Sequence, residues 1–196
     1  MNLKKLKGAS LVFFLLASSC STFSFDRMEL GADPMVDHVA QWTRSARLYR
    51  QFDTTIIVDV TYYSGWLREK TVEWRAESQR LGPEEKARLQ LEQREENDKY
   101  AQFYVAIYTT ESQWSQLSKS DPAWTVFVQA PEGPVFSEPV VKVRQQTMPW
   151  GNSFPYDPRF RSFFKINVPR SKIAPGEIKL VLSSLLGEVA VSWDKQ

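Results

Sequence analysis

The chain has 196 residues, with 25 Lys and Arg against 23 Asp and Glu, one His, one Cys and seven Trp. A formal charge of +2 with no concentrated basic run excludes the electrostatic footprint of a nucleic-acid binder. One Cys and one His exclude a Cys/His zinc site and leave no thiol pair for a disulfide or a redox couple.

The first twenty residues carry the most specific signal. Lys4, Lys5 and Lys7 form a basic start, Leu11 to Ala17 is an unbroken apolar run, and two small residues precede Cys20. This is the layout of a secretory signal, and the run is far shorter than the roughly 20 apolar residues of a bilayer span. Leu16-Ala17-Ser18-Ser19-Cys20 resembles a bacterial lipobox, although Ala17 stands where Leu is usual. Ala17 and Ser19 also satisfy the small-x-small rule of ordinary signal peptidase, and both readings cut before Cys20.

The resemblance implies a signal peptide over 1–19 and acylation of Cys20, with a thioether-linked diacylglycerol and an acylated (palmitate-type) amine. It also implies a lipid-anchored protein of the cell envelope. Ser21, where a retention-type Asp would argue for the inner membrane, favours the inner leaflet of the outer membrane, facing the periplasm. The alternative is a soluble periplasmic protein. Removing residues 1–19 takes three basic residues and no acidic ones, leaving 22 against 23, so the basic balance belongs to the leader.

Residues 20–32 read as an acylated N-terminus and tether, and 33–196 as a single domain. Asp33-Pro34 is a helix start, with Met35, Val39 and Trp42 on one face, predicting a short helix to about Arg44. His38 lies on it and reads as a packing or solvent residue. Arg47–Phe52 and Thr54–Tyr63 read as strands; in the second, Ile56, Val58, Val60 and Tyr62 alternate with Ile57, Asp59, Thr61 and Tyr63. Asp59 is expected on the solvent face or opposite a basic residue of a neighbouring strand.

Residues 65–99 break the β pattern. Seventeen of the 32 residues from Arg68 to Lys99 are charged. Leu67, Trp74 and Leu81 recur every seven, Leu81-Gly82-Pro83 reads as a helix end with a Gly cap, and Ala87 and Leu91 make a weak second stripe. This predicts a charged helical hairpin whose thin apolar seam zips the two helices together. It is either a solvated insertion or an arm that meets an envelope protein partner.

Ala101–Thr109 returns to alternation, followed by a helical piece within Glu111–Ser120. Strands are expected from Trp124, over Pro139–Val143, over Ser162–Val168, and in a hairpin of Glu177–Ser183 with Val189–Trp193, while Gln129–Pro134 reads as a turn. The stretch 148–160, holding Trp150, Phe154, Tyr156 and Arg159, reads as a structured aromatic loop. It either plugs one end of the core or contacts a glycan or peptide ligand.

The pattern predicts a mainly β fold: an antiparallel immunoglobulin-like β-sandwich with an inserted charged helical hairpin and a short N-terminal helix. The alternative is an α+β single sheet backed by helices. No nucleophile set, metal-ligand spacing or Gly-rich phosphate loop is present, and Asp59, Asp157 and Glu177 form no distinctive carboxylate pair. The expectation is a non-enzymatic protein without cofactor or metal, acting by protein contacts in assembly, accessory or structural roles. A glycan- or peptide-binding module is the alternative.

Overall fold

The computed structural model describes residues 33–50, 53–118, 123–173 and 176–194. The signal segment 1–19, Cys20 and the tether to residue 32 lie outside the described residues.

Among the described residues the chain runs through α1 (Pro34–Gln41), β1 (Thr43–Arg50), β2 (Asp53–Tyr62), α2 (Gly65–Ser78), α3 (Pro83–Lys99) and β3 (Tyr100–Thr109). It continues through β4 (Thr125–Ala130), β5 (Gly133–Phe136), β6 (Val141–Val143), β7 (Ser162–Pro169), β8 (Ile178–Ser184) and β9 (Gly187–Trp193). The strands form two sheets, one in the order β1-β2-β3-β7-β6 and one in the order β5-β4-β8-β9, with antiparallel pairing throughout. Among the described residues the fold is mainly antiparallel β with three α-helices.

Strand alternation decides what each face of the larger sheet meets. Ile56, Val58, Val60 and Tyr62 of β2, Phe103, Val105 and Ile107 of β3, and Phe164, Ile166 and Val168 of β7 point one way. There they share one core with Val126 and Val128, Leu180 and Leu182, and Val191 and Trp193 of the smaller sheet. The opposite parity, Tyr63, Tyr104, Ala106 and Phe163, builds a second core with Met35 and Val39 of α1, Leu67 of α2, and Met148 and Trp150 of the loop before β7. Both faces of the larger sheet are therefore covered. Burial of each such side chain contributes roughly 1.5–3 kcal/mol, so both layers matter to stability.

The strands fall into two sheets, so the single-sheet alternative does not hold, although helices are present. The smaller sheet covers one face of the larger sheet, and helices back the other. The charged hairpin does lie between β2 and β3, whose residues pair directly from Tyr62↔Phe103 to Ile56↔Thr109. It is not zipped by its own seam. Leu67, Arg68, Thr71 and Val72 of α2 are buried, and Trp74 packs against the second core. No residue of α3 is buried, Ala87 faces out, and Leu91 is 58% exposed.

Local chemistry sets the element ends. Asp33 caps α1 by accepting from the Met35 amide at 3.0 Å, and Pro34 opens the helix. α1 stops at Gln41, three residues short of the expected end, because Thr43 enters β1 and bonds to the Val39 carbonyl (2.8 Å) and to Thr61 (2.8 Å). α2 ends one turn earlier than the Gly cap expected from Leu81-Gly82-Pro83. Arg80 takes the left-handed position (φ 53°), with the Leu81 amide donating to the Ala76 carbonyl and the Arg80 amide to the Glu77 carbonyl. That is a Schellman motif with Arg in place of Gly. Gly82 is instead the N-cap of α3, its amide donating to Glu85 at 3.2 Å. β5 replaces part of the expected turn over Gln129–Pro134, since Gly133 at φ 125° lets Pro131 and Glu132 alone reverse the chain.

Candidate functional site

Three features compete as the site: the aromatic loop, the hairpin, and a groove beside the start of α2. The loop was expected to hold Trp150, Phe154, Tyr156 and Arg159. Trp150 has no accessible surface and meets Tyr104 and Tyr63 edge-on, at ring separations of 5.1 and 6.0 Å. A ring so enclosed offers nothing to a ligand, so for Trp150 the contact role is corrected to a core role. Phe154 and Tyr156 are half-buried and pack on the same cluster, with Phe154 5.6 Å from both Tyr156 and Phe163.

Asn152, Asp157, Arg159 and Phe160 are the exposed residues of this loop. Arg159 is spent on a forked pair with Asp157 at 2.7–3.1 Å. That pair holds the Asp157 carboxyl down to about 2, through its hydrogen bonds to Arg159. The loop is also fastened to α1, because the Ser153 hydroxyl bonds to the second oxygen of Asp33.

Beneath the loop, Asp59 departs from its expected solvent position. It is buried and pairs with Arg161, which also stacks over the Tyr156 ring at 4.8 Å, and Ser45, directly opposite on β1, donates to its other oxygen. Arg161 comes from the segment just before β7, not from a strand partner of β2. Burial and the Asp59 charge push the Tyr156 hydroxyl well above the usual phenol range.

The hairpin is held by polar bonds. Along α3 the inward residues are Lys86, Leu89, Gln93, Glu96 and Asn97, only one of them apolar. Arg68, 2% exposed, reaches across from α2. Its Nε donates to the Tyr63 carbonyl (3.2 Å), Nη1 to Gln93 (2.7 Å) and Glu96 (3.2 Å), and Nη2 to Gln102 of β3 (3.2 Å). Gln102 in turn donates to Asn167 of β7 at 2.9 Å, and Lys165 donates to Glu96 at 3.1 Å. Net contributions of roughly 1–3 kcal/mol for each charged hydrogen bond suffice to dock a helix that buries no apolar residue. Between α2 and α3 lies a cleft of about 300 Å³ with a largely charged and amide lining that includes Glu69, Glu73, Gln90 and Arg94.

The third feature was not expected. A groove of about 380 Å³ opens where α2 begins, with Trp42, Tyr62, Trp66, Trp193, Arg170 and Asn97 among its walls. Trp66 is held edge-on by His38 (5.1 Å, 89°), and Trp42 meets Tyr62 at 5.7 Å. The Trp193 indole donates to the Trp42 carbonyl at 2.9 Å. These residues come from five separate parts of the chain, so no sequence window shows them together. Only the aromatic richness of the chain hints at them.

Among the described residues no group of three or more His, Cys, Asp or Glu is placed to hold a metal, and no helix is long and apolar enough to cross a membrane. No family model, curated protein or solved structure matches the chain.

Proposed function

We propose that this is a lipid-anchored, non-enzymatic protein of the bacterial cell envelope that acts by protein contacts, with α3 as the contacting surface. Acylation at Cys20 would hold it on the inner leaflet of the outer membrane, facing the periplasm; a soluble periplasmic protein is the alternative. The immunoglobulin-like reading of the two packed sheets belongs to the same proposal. It rests on the chain crossing between sheets after β3, β5 and β7, and it carries no function by itself.

The observation that carries the proposal is α3. It is fixed on its inner side by Arg68, Lys165 and Arg170, yet keeps Glu84, Arg88, Leu91, Glu92 and Glu95 in solvent along 17 residues. Its acidic and basic residues are mixed, which suits a protein surface of matching charges better than an anionic lipid face. A glycan or peptide contact through the loop 148–160 has less support, since Trp150, Phe154 and Tyr156 are spent on the second core.

Two experiments test the reading. Cys20→Ser should move the protein from the membrane fraction to the soluble one with an unchanged circular dichroism spectrum. Retention on membranes at high salt would remove the anchor. Deleting the hairpin would strip α2 from the second core, so the contact is tested instead with Arg88→Glu, Glu92→Lys and Glu95→Lys together. An unchanged set of co-purifying envelope proteins would sink the role of α3.

A further inference from the structure

We propose that the groove at the start of α2 binds a sugar that carries one carboxylate. This site is separate from the outer face of α3 and stands independently of the envelope reading.

The first support is a ring wall fixed in advance. Trp66, 37% exposed, is braced by His38 from α1, while Trp42 is braced by Tyr62 and by the indole N–H of Trp193. Tyr62 and Trp193 are themselves locked on Phe103 at 5.1 and 5.5 Å, in the main core. Indole faces held this way take the C–H side of a pyranose with little ordering cost.

The second support is Arg170. Its Nε donates to the Asn97 carbonyl at 2.5 Å, and its Nη2 to the Asn97 side-chain oxygen (2.9 Å) and the Tyr62 hydroxyl (3.1 Å). All three acceptors are neutral. Arg68, Arg159 and Arg161 each have a carboxylate partner, whereas among the described residues the half-buried Arg170 has none and its Nη1 has no acceptor. A guanidinium oriented by neutral groups, with donors to spare, is set to take a carboxylate.

The remaining lining narrows the class. Ser64 and Gly65 bring the positive end of α2 to the same groove, and α2 has no acidic residue in its first turn. Asp194, also in the lining, disfavours a second anion and accepts from hydroxyls. An aromatic acid would leave Asp194 and the Asn97 amide without ligand partners; a sugar acid supplies hydroxyls to both. The volume of about 380 Å³ lies at the small end of ligand sites, which suits one or two rings.

The test titrates the full-length protein in detergent with methyl glucuronide, methyl glucoside and phenylacetate, reading the tryptophan indole N–H signals by NMR. The glucuronide should shift the Trp66 and Trp42 signals at least about ten-fold more tightly than the glucoside, the equivalent of about 1.4 kcal/mol. Trp66→Ala and Arg170→Gln should each weaken it by about ten-fold or more. Should Arg170→Gln fail to fold, Trp66→Ala and Arg170→Lys carry the same comparison. Equal binding of glucuronide and glucoside, no binding of either, tighter binding of phenylacetate, or variants as tight as the parent would each overturn the proposal.

Discussion

Arg68 on α2 and Glu96 on α3 meet at 3.2 Å, one 2% and the other 35% exposed. The buried partner has its remaining donors on Gln93, Gln102 and the Tyr63 carbonyl, so the pair is the visible end of a network that binds both helices to β3.

Removing the buried end should cost far more than removing the exposed one. Arg68→Met leaves the Tyr63 carbonyl without this donor and Gln102 Oε1 with only the long bond from the Tyr104 hydroxyl (3.4 Å), and is expected to destabilise by roughly 2–4 kcal/mol in urea unfolding. Glu96→Gln, which keeps an acceptor, should cost about 1 kcal/mol or less.

The same carboxylate gives an acid signature. Burial raises the Glu96 pKa, but the hydrogen bonds and charges of Lys165 and Arg68 outweigh burial and hold it below the usual carboxylate range. Its contribution is therefore fully present above the unfolded value of about 4.3 and is lost as pH falls through the lower native value. Unfolding free energy measured against pH should fall less steeply over that window in Glu96→Gln than in the parent.

At the alkaline end three tyrosines act together. Burial pushes the Tyr63 hydroxyl up to about 12, and burial pushes Tyr104 and Tyr156 higher still. Their neutral forms stabilise the fold below the free phenol value of about 10, and that contribution is lost as pH rises through the native values. Phenolate absorbance should show these three titrating only as the protein unfolds. Three additional native titrations near pH 10 would contradict the burial.

Gly151 sits at φ 61°, and a methyl group there would lie 2.9 Å from the far edge of the Trp74 ring. Gly151→Ala is expected to destabilise by roughly 2 kcal/mol, about half from the left-handed backbone and half from the ring contact. In a Trp74→Ala background only the backbone part should remain, which a double-mutant cycle reads directly.

Arg80 offers the opposite sign. It closes α2 in the left-handed region at φ 53° without the freedom of glycine. Arg80→Gly should raise stability by about 0.5–1 kcal/mol, seen as a higher urea midpoint with unchanged slope.

Period-two alternation made most strands legible, because one side of each meets the core between the sheets: Ile56 to Tyr62, Phe103 to Ile107, Phe164 to Val168. The second core was much less so. The inward face of α2 is Leu67, Arg68, Thr71 and Val72, half of it polar, so a count of apolar positions underrates how deeply it is buried. Nothing in the sequence around Arg161 names Asp59, about a hundred residues earlier, as its partner. The groove joins residues as distant as Trp42 and Trp193, and only the fold brings them together.

The order in which the chain visits its sheets governs how it is made. β1, β2 and β3 are synthesised early, but the free edge of β3 is not paired until β7 emerges, after β4, β5 and β6. Until then Phe103, Val105 and Ile107 sit on an open strand edge with only β4 and β5 of the opposing sheet made, a state prone to edge-to-edge aggregation. A chain truncated before Ser162 keeps that edge for good, so premature termination in the loop ahead of β7 should yield inclusion bodies rather than a smaller soluble domain.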